Sequence, residues 1–175
     1  MLDCVVGIEY ISTIVECNCN SLGAVEMALV DLITPEVVKV PLKSETKPAV
    51  LRELVQILKD AGKINDFEGA LTAIHKREEL GSTGLELGIA VPHAKTDVVQ
   101  NLTLAIGISP QGIDFNSLDG KPAHLFFLML APPNQSGPHI EALAEIAKLS
   151  KSRAFCDMLV HARSSEEVVQ LFREE

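Results

Sequence analysis

The segments LTLAIGI at residues 102–108 and HLFFLML at residues 124–130 are almost entirely apolar. A strand with one face in water alternates apolar and polar residues, so these segments predict strands that are covered on both faces. Segments with helical spacing of apolar residues lie before and after them, and these supply the covering layers. The sequence therefore predicts an α/β fold, a single three-layer domain in which a mixed β-sheet carries helices on both faces.

Helices are predicted from apolar stripes and capping signals on either side of these strands. Asn65 and Glu68 have the N-cap and N3 spacing that opens a helix, and Ser164 has the same relation to Glu167. A shorter strand at residues 89–91 ends at Pro92, so His93 is expected in a loop just beyond the strand. The predicted helices cover residues 46–61, 65–80, 139–150, 153–161 and a final segment after Ser164, and a further short strand covers residues 37–40.

Composition and charge narrow the classes of function. The chain has 175 residues, 47% of them hydrophobic and 22% charged, which excludes intrinsic disorder, collagen-like repeats and a disulfide scaffold. Its formal net charge of −9 disfavours nucleic-acid binding and favours a basic protein partner. No apolar run is long enough to span a membrane, and the N-terminus does not resemble a secretory signal. A cytoplasmic protein with reduced cysteines and no membrane insertion is expected.

The charge is unevenly distributed along the chain. Residues 1–38 contain six acidic residues and no Lys, Arg or His. This change in charge composition predicts an N-terminal extension at residues 1–30, whose role the sequence leaves open, followed by a domain at residues 31–175. The extension either forms a short strand at residues 12–15 and a helix at residues 24–32, or is an upstream stretch, with Met27 as the natural start.

Three residues are candidates for chemistry, each with a plainer alternative. His93 follows a strand end, where sites form in layered α/β proteins, but it also suits a surface turn. His139 begins a predicted helix, where free N–H groups favour an anion, or it simply packs there. Arg77 continues the apolar face of its helix and either binds a phosphate or pairs with an acid. Gly81 to Gly84, GSTG, either presents amides to a phosphate or forms a turn.

Two motifs give these candidates a common interpretation. The runs REELGSTG at residues 77–84 and GIAVPHA at residues 88–94 resemble the active-site signature of the fructose/mannitol class (type 2) of EIIA domains. These domains belong to the bacterial phosphoenolpyruvate-dependent sugar phosphotransferase system. The run PHIEALAEIA at residues 138–147 resembles the second histidine helix of that class. The resemblance extends from about residue 31 to residue 172.

The resemblance implies a role for five residues of these motifs. It implies that His93 is the phosphorylated histidine, that His139 is its neighbour and that Arg77 is the supporting cation. Ser82 and Thr83 lie in the matching motif, and the resemblance implies that they support the phosphoryl group.

The resemblance also implies a function. Such a domain accepts a phosphoryl group from phospho-HPr and passes it to an EIIB domain, for uptake and phosphorylation of a sugar through a membrane EIIC. The alternative is a nitrogen-type regulatory EIIA that binds target proteins according to its phosphorylation state. Neither role requires a cofactor or a metal, and a metal hydrolase built on the two histidines lacks a third ligand at sensible spacing.

Overall fold

A computed structural model describes residues 29–174 of the chain. The predicted strand at residues 12–15 and the candidate start at Met27 lie outside the described residues, as does most of the predicted extension. Its last part is described: a helix at Leu29–Leu32 (α1) includes Leu29, which is buried and donates its backbone N–H to Glu145 Oε2 at 2.8 Å. The division of the chain at residue 30 stays a prediction.

A five-stranded mixed sheet forms the middle layer. The two longest strands pair antiparallel in the centre, and the three shorter strands run parallel to their neighbours. The strands are β1 (Val38–Lys39), β2 (Ile89–Ala90), β3 (His93–Lys95), β4 (Thr103–Ile113) and β5 (Ala123–Ala131). The order is β1-β4-β5-β2, and β3 follows β2 along the same edge of β5.

Strand β5 shows why the sheet needs two covering layers. Successive side chains of a strand point to opposite faces, and here Phe126 and Leu128 join one apolar core while Phe127 and Met129 join another. All four are buried. The prediction of a mixed sheet with helices on both faces is therefore confirmed.

The helices divide between the two cores. The first core contains residues of α2 (Lys47–Asp60) and α3 (Phe67–Glu79). The second contains residues of α1, α4 (Ser136–Leu149), α5 (Arg153–His161) and α6 (Ser165–Glu174), and a short 3-10 turn at Pro35–Val37 precedes β1.

The predicted helix starts at residue 46, at residue 153 and after Ser164 agree with the structure to within one residue, and the other two are wrong. Glu167 N donates to Ser164 Oγ at 3.2 Å, as the capping signal predicts. The cap of α3 is Asp66 rather than Asn65, because the Asp66 side chain accepts the Gly69 N–H at 2.9 Å. Helix α4 begins at Ser136, three residues before the prediction, because a proline in the first helical turn sacrifices no helical hydrogen bond.

The prediction that His93 lies in a loop is also wrong. Pro92 has no N–H to donate, but its carbonyl accepts the N–H of Met129 at 2.9 Å, so the chain remains beside β5. His93 then begins β3 and pairs with Met129 in parallel register. The histidine is thereby held by the sheet rather than by a loop.

Candidate active site

A cleft of about 930 Å³ lies between α3, β3 and the start of α4. Arg77, His93 and His139, the three residues singled out in the sequence, all line it. The rings of His93 and His139 have their centroids 5.5 Å apart and are tilted by 57°. The fold therefore brings two histidines and a cation from three separate elements into one concave site.

The ring of His93 is held in one tautomer. Its Nδ1 lies 2.8 Å from the carbonyl oxygen of Val91, and because a carbonyl only accepts, Nδ1 carries the proton. The neutral ring then has its lone pair on Nε2. Burial lowers the pKa of His93, an effect that the Val91 hydrogen bond opposes and Arg77 reinforces. The ring is therefore neutral near neutral pH, and Nε2 is a competent nucleophile.

His139 differs from His93 in burial and in hydrogen bonding. It is the fourth residue of α4, only 5% exposed, and its buried Nε2 has no hydrogen-bond partner. Burial lowers its pKa to about 4, and the nearby His93 and Lys95 add to the effect. In the phosphate-free site the ring is therefore uncharged at neutral pH, and an imidazole N–H can donate a hydrogen bond to a bound anion.

Two cations border the histidines. Arg77 lies in the last turn of α3, and its Nη1 donates to the carbonyl oxygen of Gly81 at 3.1 Å. Lys95 lies in β3, and its Nζ donates to Ser136 Oγ at 2.7 Å, at the start of α4. Lys95 was not predicted, because His93 was expected in a loop, whereas residues two apart in a strand share a face.

Ser82 and Thr83 lie in the loop after α3 and do not line the cleft. Ser82 Oγ donates to the Phe115 carbonyl at 2.9 Å, and Thr83 Oγ1 donates to Glu78 Oε2 at 2.6 Å. Both hydroxyl protons therefore hold the loop in place. A supporting role in phosphate binding stays a prediction for Ser82 and Thr83. They would support the phosphoryl group indirectly, by holding the loop in position.

The part of the chain that the structure describes contains neither a metal-binding cluster nor a membrane-spanning helix. Within residues 29–174, no three His, Cys, Asp or Glu side chains gather closely enough to hold a metal ion. None of the helices in this range has the length and apolar character needed to cross a membrane.

The depressed pKa of His139 predicts a loss of stability on mild acidification. An unfolded histidine titrates near 6.5 and the folded His139 near 4, so between these values only the unfolded chain binds the proton. The free energy of unfolding should therefore fall by up to about 3 kcal/mol as the pH drops through this range. Urea unfolding at a series of pH values measures it.

The matched variant for this experiment is His139→Gln, which keeps a polar side chain that does not titrate. Its free energy of unfolding should depend less steeply on pH in the upper part of the range, where carboxylates remain ionised. His93, whose pKa is also lowered, accounts for the remaining dependence. An equal slope in the two proteins would show that His139 does not titrate as the structure requires.

Comparisons with known proteins identify the family of this α/β domain. Residues 31–175 match the family model described as "Phosphoenolpyruvate-dependent sugar phosphotransferase system, EIIA 2". The chain belongs to this family, and the resemblance found in the sequence is confirmed.

Individual relatives carry two kinds of name. The fructose-specific EIIABC component of Bacillus subtilis is 37% identical over 148 residues, which are 85% of this chain but only 23% of that protein. The fructose-specific EIIA component of Haloferax volcanii is 34% identical over 146 residues, which are 83% of this chain and 95% of that protein. The nitrogen regulatory protein IIA-Ntr of Neisseria meningitidis superposes with a TM-score of 0.76 at 26% identity, covering 82% of this chain and 97% of that one.

Proposed function

We propose that this chain is a phosphocarrier that accepts a phosphoryl group from phospho-HPr on His93 and passes it to an EIIB domain. The observation that carries the proposal is the hydrogen bond from His93 Nδ1 to Val91, which leaves Nε2 as the free nucleophilic nitrogen beside His139 and Arg77. Membership of the EIIA family supports the same role.

In the transfer, one phosphoryl group moves from the imidazole ring of the donor to that of His93. The lone pair of His93 Nε2 attacks the phosphorus of the donor phosphohistidine, and the phosphorus–nitrogen bond of the donor breaks. The donor ring keeps that electron pair, and the P–N bond formed on His93 is labile enough to be broken in turn by a nucleophile of EIIB. Such a transfer depends mainly on alignment and on stabilisation of the charged oxygens.

The cleft supplies that stabilisation from three side chains. Arg77 and Lys95 provide positive charge, and a planar guanidinium suits two phosphoryl oxygens at once. His139, being neutral, offers its unpartnered Nε2 as a hydrogen-bond donor in the tautomer with the proton on that nitrogen. These groups offset the about −1.5 to −2 charges of a bound phosphoryl group. No metal or nucleotide is needed for this step, which we place in the cytoplasm.

Two exposed apolar side chains, one in the cleft lining and one next to His139 in the chain, suit a protein partner. Leu80 follows Arg77 at the end of α3 and is 84% exposed, and Ile140 follows His139 and is 45% exposed. Apolar contact around the reacting nitrogens excludes water when a partner docks. Phospho-HPr and EIIB would therefore use this surface in turn.

A nitrogen-type regulatory EIIA is the second candidate, because the Neisseria meningitidis protein that shares this fold carries that name. The two functions differ in what the phosphorylated chain does next. A transport component transfers the phosphoryl group to a purified EIIB domain, and the mass of the EIIB increases by one phosphoryl group. A regulator keeps the phosphoryl group under the same conditions, and its phosphorylated and unphosphorylated forms bind a target protein with different affinities.

A further inference from the structure

An ion pair that is largely shielded from solvent lies outside the lining of the cleft. Lys47 Nζ, at the start of α2, lies 2.6 Å from Glu78 Oε1, at the end of α3. The side chains are only 17% and 7% exposed. The ammonium also donates to Ser82 Oγ and to the Phe115 carbonyl, each at 3.1 Å, and lies 4.5 Å from the centre of the Phe115 ring.

Glu78 is also the anchor of Thr83. Its Oε1 accepts the Thr83 N–H at 2.9 Å, and its Oε2 accepts the Thr83 hydroxyl at 2.6 Å. Burial raises the pKa of Glu78, but the hydrogen bonds from Lys47 and Thr83 outweigh burial and leave the pKa below its ordinary value. The carboxylate is therefore ionised and uses both oxygens to hold one residue of the loop.

That loop in turn holds the reacting groups. The carbonyl of Thr83 accepts the N–H of Val91 at 2.9 Å, and the carbonyl of Val91 accepts the Nδ1–H of His93 at 2.8 Å. The carbonyl of Gly81, two residues before Thr83, accepts from Arg77 Nη1. A continuous set of hydrogen bonds thus runs from the ion pair to the backbone that fixes the tautomer of His93.

We propose that Glu78, with Lys47 and Thr83, is a positioning residue for phosphoryl transfer on His93, acting through the loop at residues 81–84. The inference rests on the proposed function. Replacing a shielded ion pair by apolar residues of similar volume is often neutral or stabilising, so stability alone does not account for the pair between Lys47 and Glu78. The ion pair orients the Glu78 carboxylate. That carboxylate holds Thr83 in position, and the hydrogen bond between Thr83 and Val91 then fixes Val91.

The test compares paired variants of the whole chain. Thr83→Val removes the hydroxyl but keeps the shape, and Thr83→Ser keeps the hydroxyl. Glu78→Gln removes the buried charge, and Glu79→Gln removes the charge of an exposed neighbour. The measurements are kcat and KM for phospho-HPr, and the ¹⁵N shifts of the His93 ring in the unphosphorylated protein.

We expect Thr83→Val and Glu78→Gln to lower kcat by about 10–100-fold, because small errors in alignment are costly in group transfer. KM should stay close to the original value, because the docking surface is intact. The ring shifts should move from the Nδ1–H tautomer towards a mixture of tautomers. Thr83→Ser should restore most of the rate, and Glu79→Gln should resemble the original protein.

Folded variants with an unchanged kcat and unchanged ring shifts would overturn the inference. If Glu78→Gln fails to fold, Thr83→Val decides alone, since it leaves the ion pair in place. If the original protein accepts no phosphoryl group, the proposed function is wrong. The ¹⁵N ring shifts still show in that case whether Glu78 and Thr83 fix the tautomer of His93.

Discussion

The His93→Ala variant is expected to carry no phosphoryl group after incubation with phosphoenolpyruvate, enzyme I and HPr, while the original protein gains one. The reason is that the nucleophile itself is removed. His139 does not replace it, because its ring is only 5% exposed and is held in the first turn of α4, where Nε2 can donate a hydrogen bond to a phosphoryl oxygen but is not presented to the phosphorus of a docked donor. Intact mass measurement reads the result directly, and the species on the original protein should be acid-labile and alkali-stable, as a phosphohistidine is.

The matched control is His161→Ala, which removes an exposed histidine at the end of α5. It should gain the phosphoryl group as the original protein does. A phosphoryl group that persists on His93→Ala, with the same acid lability, would show that another histidine is the acceptor.

Arg77→Ala and His139→Ala are expected to accept the phosphoryl group on His93 but to do so slowly. Each removes a group that stabilises charge in the transition state without forming the covalent bond. Loss of one such preorganised donor typically lowers a rate by about 10²–10³-fold. Rapid-quench measurement of transfer from phospho-HPr gives the rate of acceptance, and transfer to EIIB gives the rate of donation.

Two further variants separate charge from geometry. Arg77→Lys keeps the positive charge but loses the planar fork, so its rate should fall between those of the original protein and Arg77→Ala. Arg173→Ala removes an exposed cation of α6 and should transfer at the original rate. Rates for Arg77→Ala and Arg173→Ala that do not differ would show that Arg77 takes no part in the transfer.

The layered fold follows directly from the sequence. The uniformly apolar segments at residues 102–108 and 124–130 require cover on both faces, and the structure places their alternate side chains in two separate cores. The exact starts of α3 and α4 were not predictable in this way, because residues 65 and 66 are both good caps, and because Pro138 suits both a loop and a first helical turn.

The site was predictable only in part. The motifs single out Arg77, His93 and His139, and the fold brings these three residues into one cleft. No sequence pattern indicates the pair between Lys47 and Glu78, because the two residues lie on different helices and no local spacing relates them. Contacts between distant segments depend on how the helices pack on the sheet. The periodicity of apolar residues along the sequence does not specify this packing.

The proposed function requires His93 Nε2 to be the atom that accepts the phosphoryl group. The most direct test is NMR of the phosphorylated protein with ¹⁵N in its histidine rings, in which coupling to ³¹P identifies the bonded nitrogen. The structure predicts coupling to Nε2 of His93, with Nδ1 still protonated and hydrogen-bonded to Val91. Coupling to Nδ1 of His93, or to either nitrogen of His139, would contradict the account.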